Sequence, residues 1–117
     1  MLFRSFASQL YDGEADWSAI AKLVEFMDGT DVPVLGNGDI WSGADGVRMM
    51  EETGCAGVVV GRGCLGRPWL FKDLVNAFNG ENTKVTPTLF EVRDIMKRHA
   101  ILLTEFFEQE EIGRAHV

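Results

Sequence analysis

The chain has 117 residues, 46% of them hydrophobic and 25% charged, with a formal net charge of −7. That balance suits one soluble globular unit. No apolar run approaches the ~18 residues of a membrane-spanning helix, and the acidic excess argues against indiscriminate nucleic-acid binding while leaving a local basic groove open.

The first residues lack the basic region, apolar core and small-residue cleavage site of a secretory leader, so none is expected. Cys55 and Cys64 form neither a CxxC pair nor a zinc spacing. No metal and no membrane association are expected, and a reduced cytoplasm is the simplest compartment.

Asp16 can cap a first helix running to about Met27, with Ile20, Leu23, Val24 and Met27 at helical spacing. The stretch GTDVP breaks it, and Val32 to Leu35 then reads as a short strand apolar on both faces, as in a parallel sheet covered by helices. Ser42 is the next cap. Val47, Met50 and Thr53 form the expected buried stripe, and Gly54 stops the helix. Ala56 to Val60 is a second continuous apolar strand, parallel to the first by the handedness of crossover connections.

Pro68 fits the first turn of a third helix whose apolar residues are Trp69, Phe71, Leu74, Val75 and Phe78, ended by Asn79-Gly80. ENTKVTPT reads as a linker. Thr88 and Glu91 make a capping box, and Leu89, Val92, Ile95, His99, Leu102 and Phe106 step by three or four along a long amphipathic helix to about Gln109. Trp17, Trp69 and Phe78 are expected in the core, and His99 is expected to pack on its helix's apolar stripe. Arg93, Lys97 and Arg98 lie on the polar side, either solvated or facing nucleic-acid phosphate.

Both apolar strands end in glycine clusters carrying charge: Asn37-Gly38-Asp39 and Gly61-Arg62-Gly63. Ligands of parallel α/β folds sit at the carboxyl ends of strands. In an eight-stranded barrel the last two strand-to-helix loops often hold phosphate. Gly38, Gly61 and Gly63 carry no side chain to block an anion, their amides are donors, and Arg62 adds charge. Asn37 and Asp39 can meet ligand hydroxyls or brace the loop. Either cluster alone also reads as an ordinary turn. Cys55 and Cys64 read as small packing residues.

The string PVLGNGDIWSGADGVRMMEETGCAGVVVGRGCLGRPWLF closely resembles the last two barrel units of the tRNA-dihydrouridine synthases. QLYDGEADW is similar to the segment after that family's sixth strand, and FEVRDIMKRHAILLTEFFEQE to the opening of its C-terminal helical domain. The resemblance implies an α/β fold: a fragment of a (β/α)8 TIM barrel holding its last two strands, followed by the beginning of an α-helical domain. It implies FMN as cofactor, NADPH as reductant, tRNA as substrate, and reduction of uridine to 5,6-dihydrouridine. Asn37, Gly38, Asp39, Gly61 and Arg62 fall on the family's flavin-binding positions, with Gly61 and Arg62 at the phosphate. The catalytic cysteine and the lysine and histidine that face the flavin belong to earlier strands, so no catalytic residue is assigned and the chain alone is expected to be inactive.

Residues 6–80 are thus expected to belong to the barrel and 81–110 to the helical tRNA-binding domain. The ends, MLFRS and EIGRAHV, fit neither the family nor the local pattern, and both can be back-translated to a short-read sequencing adapter. Residues 1–5 and 111–117 are therefore expected to be non-native. Two other functions fit the glycine clusters: a different FMN- or phosphate-binding TIM-barrel oxidoreductase, and a non-catalytic anion-binding module. The long helical tail favours the tRNA enzyme over a small-molecule one.

Overall fold

The computed structural model describes residues 13–115. The expectations for residues 1–5, 9–12 and 116–117 lie outside the described residues. Two compact units are present, Met1–Val85 and Thr86–Val117.

The first unit holds α1 (Trp17–Phe26), β1 (Leu35–Asn37), α2 (Gly43–Thr53), β2 (Gly57–Val59), a 3-10 turn at Arg62–Cys64, and α3 (Leu70–Phe78). Asp16 caps α1: its carboxylate accepts the Ser18 N–H at 3.1 Å and the Ser18 hydroxyl at 2.5 Å. The Ser18 hydroxyl bond, reinforced by backbone N–H groups, holds the Asp16 carboxyl below its ordinary range.

β1 and β2 pair in parallel, with Leu35 opposite Gly57, Gly36 opposite Val58 and Asn37 opposite Val59. β1 therefore lies closer to the glycine cluster than the expected Val32–Leu35. Pro33 has no N–H for a ladder, and pairing starts only where the Ala56 N–H reaches the Val34 carbonyl at 2.8 Å. Three residues per strand leave the sheet half covered: Leu35 is exposed and Gly57 to Val59 are half-buried.

α2 begins in a reciprocal cap. The Ser42 hydroxyl accepts the Asp45 N–H at 3.2 Å and donates to the Asp45 carboxylate, which also takes the Trp41 N–H at 3.1 Å. Gly54 closes the helix at φ 70°. Its buried residues are Gly43, Gly46, Met49 and Thr53; of the expected stripe Thr53 is buried, Met50 packs half-buried against the core and Val47 is half-buried. The reason is close helix packing. A Cβ on Gly43 would stand 2.6 Å from the Asp73 carbonyl, and one on Gly46 would run into Leu74, so α3 lies directly on α2's glycines.

The core is Ile40, Met49, Cys55, Leu70 and Leu74, with Trp17, Ile20, Val24 and Val58 against it. Cys55 is a buried packing residue, as expected. On α3 the buried residues are Leu70, Asp73 and Leu74, whereas Phe71, Val75 and Phe78 are exposed. The expectation that Phe78 is core is thus corrected, and Trp17 and Trp69 are only half-buried. Asp73 is buried because its carboxylate accepts the Val85 N–H at 2.6 Å, which lays the linker along α3.

The second unit contains α4 (Leu89–Ala115). The capping box forms: Glu91 accepts the Thr88 N–H at 2.7 Å and the Thr88 hydroxyl at 2.9 Å, and the Thr88 hydroxyl accepts the Glu91 N–H at 3.3 Å. The backbone is helical through Ala115, past the expected end near Gln109. Leu89, Met96, Leu102, Leu103, Phe106 and Phe107 are all exposed, and so is His99, which was expected to pack on the apolar stripe. Arg93 bonds Asp94 at 2.8 Å and lies over the Phe90 ring.

Two outcomes follow from this packing. Replacing Gly43 by Ala, a change that helps an open helix, should instead destabilise the first unit by about 1–3 kcal/mol, measured by chemical denaturation. The Glu91 carboxyl is held below its ordinary range by the Thr88 N–H and then by the Thr88 hydroxyl. Its contribution to α4 is therefore present above the unfolded-state pKa and lost as pH falls through the lowered folded one. An NMR titration of Thr88→Ala should show the Glu91 pKa moving back up.

Candidate functional site

Parallel pairing places both glycine clusters at the same end of the sheet. β1 continues into Gly38 at φ 121° and Asp39 at φ 51°, the one non-glycine residue with positive φ among the described residues. Aspartate tolerates that region better than most side chains. β2 continues through Val60 and Gly61 into the 3-10 turn at Arg62–Cys64.

The loops touch backbone to backbone. The Ile40 carbonyl oxygen sits where a Cβ on Gly63 would have to stand. At Gly38 the same space is taken by the Ala15 methyl, 2.5 Å away. Of these three, Gly61 is the one at which no described residue beyond its chain neighbours would come within 4 Å of a Cβ. The three glycines therefore do two different jobs. Gly38 and Gly63 let the protein close on itself, and Gly61 alone leaves room for something else.

Charged groups bridge the same gap. Arg62 Nη2 lies 3.8 Å from Asp39 Oδ1, with both side chains partly exposed. The Arg62 guanidinium also sits 5.9 Å from the centroid of the Trp41 ring. Arg67 Nη2 donates to the Trp41 carbonyl at 2.6 Å, tying the third helix's approach to the first loop. The other Asp39 oxygen, Oδ2, accepts the Ala15 N–H at 2.5 Å. Asp39 thus braces the loop from two sides, whereas Asn37 is exposed at the end of β1.

All five expected residues, Asn37, Gly38, Asp39, Gly61 and Arg62, are gathered at one end of the strand pair. Ala15, Trp17, Trp41 and Arg67 were not singled out beforehand as partners of these loops. Arg67 offered a signal, a cation two residues before a tryptophan in the strand-following loop, but its acceptor is a backbone carbonyl far off in sequence.

The cluster brings together a partly exposed guanidinium, an uncrowded glycine and the start of a three-residue helical turn. Neither thiol is placed as a nucleophile, because Cys55 is buried and the Cys64 S–H donates to the Gly61 carbonyl at 3.2 Å. Among the described residues no group of three His, Cys, Asp or Glu side chains could hold a metal ion, and no helix is long and apolar enough to cross a membrane.

Replacing Asp39 by Ala removes the acceptor for Ala15 and leaves a residue less suited to positive φ. Stability should fall by about 1–2 kcal/mol, read from thermal or urea unfolding. Asp39→Asn, which keeps an acceptor and tolerates the same φ, should retain most of it.

The family model described as dihydrouridine synthase matches residues 4–117. Among curated relatives, a "Probable tRNA-dihydrouridine synthase" of Mycobacterium tuberculosis is 52% identical over 104 residues, covering 89% of this chain and 26% of the relative. That of Mycobacterium leprae is 51% identical, covering 89% of this chain and 27% of the relative. The "tRNA-dihydrouridine synthase B" of Pseudomonas aeruginosa is 34% identical, covering 94% of this chain and 33% of the relative. The chain spans between a quarter and a third of the length of these relatives, over which the two glycine clusters fall within the matched stretch, and it belongs to the dihydrouridine synthase family.

Proposed function

We propose that this chain forms the last two strand–helix units of an FMN-dependent tRNA-dihydrouridine synthase barrel, over residues 6–80, and the start of its helical tRNA-binding domain, over residues 81–110. One observation carries the reading. Two glycine loops at the carboxyl ends of adjacent parallel strands converge on Arg62, beside an open position at Gly61.

The residues fit the terminal phosphate of a flavin nucleotide. At 3.8 Å the Arg62–Asp39 contact is an ion pair longer than a hydrogen bond, so the guanidinium keeps donors for a second partner. Arg62 and the backbone of Gly61 would hold the phosphate, and Asn37 to Asp39 would line the loop beside it. Asp39 and Arg62 together are neutral, so the grip depends on directed donors rather than on net positive charge.

When bound, FMN supplies the hydride that reduces the uracil double bond, with NADPH as its reductant and tRNA as the substrate. This chain's part is to orient the cofactor. The residue that protonates the uracil ring would come from an earlier strand, and the chain alone should form no dihydrouridine. The setting is cytoplasmic, where tRNA and NADPH are found.

The test separates phosphate recognition from flavin recognition. Purified chain should carry no flavin, because half a site does not retain it. Added FMN should shift the amide NMR signals of Gly38, Asp39, Gly61 and Arg62, and riboflavin at the same concentration should not. Arg62→Gln should weaken the FMN response about tenfold. Equal shifts from FMN and riboflavin would remove the phosphate reading.

A further inference from the structure

The start of α1 and the residues just before it grip the first glycine loop at three points. The Ala15 N–H donates to the Asp39 carboxylate, the Ala15 methyl fills the space beside Gly38, and the Trp17 indole N–H donates to the Gly38 carbonyl at 3.0 Å. The Trp17 ring is held in turn. The Arg48 guanidinium, on α2, lies 4.7 Å from its centroid and also faces Asp45 at 3.8 Å and Glu52 at 3.5 Å.

The Gly38 peptide is trans, as all described peptide bonds are. In a planar trans peptide the carbonyl of one residue and the N–H of the next point in opposite directions. Holding the Gly38 carbonyl toward Trp17 therefore turns the Asp39 N–H away from α1. Gly38, at φ 121°, is free to rotate through regions closed to other residues, so the loop itself does not fix that peptide's orientation. An indole is suited to the task because it is a rigid, donor-only group and cannot present an acceptor to the carbonyl.

We propose that Trp17 is a positioning residue for the anion site: its indole N–H sets the direction of the Asp39 backbone donor. This rests on the reading that the loop carries the flavin phosphate. Trp17 would touch neither the cofactor nor the substrate and would act only through the Gly38–Asp39 peptide. The ligand class is a phosphomonoester, so the effect must appear with FMN and be absent with riboflavin.

The experiment uses the 15N-labelled chain titrated with FMN and with riboflavin, each sample also being melted. In Trp17→Phe, which keeps an aromatic ring and loses the donor, the Asp39 amide response to FMN should disappear. The preference for FMN over riboflavin should fall roughly five- to tenfold, and the Gly61 and Arg62 amides should still respond. Arg48→Gln, which removes the stacked cation and keeps the indole N–H, should lower the melting temperature and leave the preference unchanged. An unchanged preference in Trp17→Phe overturns the proposal. So does a loss that Arg48→Gln reproduces in proportion to its melting temperature, since that is the mark of a packing role. Failure of the unmodified chain to tell FMN from riboflavin instead removes the phosphate reading itself. One measurement needs no substitution: the Trp17 indole proton must exchange with solvent more slowly than that of the exposed Trp41, and equal rates overturn the proposal.

Discussion

The structure depends on how closely two backbones approach at the ends of β1 and β2. The Ile40 carbonyl occupies the place of a side chain on Gly63, so nothing larger than hydrogen can stand there. That contact brings the first loop within reach of the second. It puts Asp39 beside Arg62 and the Trp41 carbonyl beside Arg67. The same device recurs one layer out, where Gly43 and Gly46 let α3 lie on α2, and in the sheet, where Gly36 lets Met49 and Cys55 settle on β1. Close-packed interiors respond to single methyl groups, so these glycines position the site as firmly as any charged residue does.

The electrostatics follow from that geometry. Asp39 and Arg62 are both partly exposed, and an exposed ion pair contributes about 0–1 kcal/mol. Such a pair is easily rearranged. In the proposed phosphate site Arg62 would exchange a carboxylate at 3.8 Å for a phosphate oxygen at hydrogen-bond length with small loss. Asp39 does not become an orphan in that exchange, because its second oxygen holds the Ala15 N–H. The Asp39 carboxylate therefore serves the loop's shape, and its negative charge is offset by the neighbouring guanidinium.

Much of this was legible in the residues. The caps at Asp16, Ser42 and Thr88 with Glu91, the stop at Gly54, the parallel strand pair and the meeting of both glycine clusters are all local or topological, and periodicity and turn chemistry report them. The buried face of α2 was legible only in Thr53 and the half-buried Met50, because much of it is lined by glycines that a search for apolar residues passes over. The position of β1 was missed because Pro33 is apolar yet cannot donate to a ladder. Asp73 reads as a surface residue until the Val85 N–H is seen to need it. Phe78 and His99 were expected to pack and are exposed, because spacing shows which side of a helix a residue lies on and not how deeply that side is covered.

The first glycine loop is best understood as a piece held by its neighbours. From the β2 side it is held by Gly63, Arg62 and Arg67, and from the α1 side by Ala15 and Trp17. The first loop is thus shaped by segments both before and after it in the chain. This explains why a loop rich in glycine can still present donors in a defined direction. Its own residues supply freedom, and the constraints come from side chains outside it. Trp17 and Arg67 thus reach the first loop only through backbone carbonyls, those of Gly38 and Trp41.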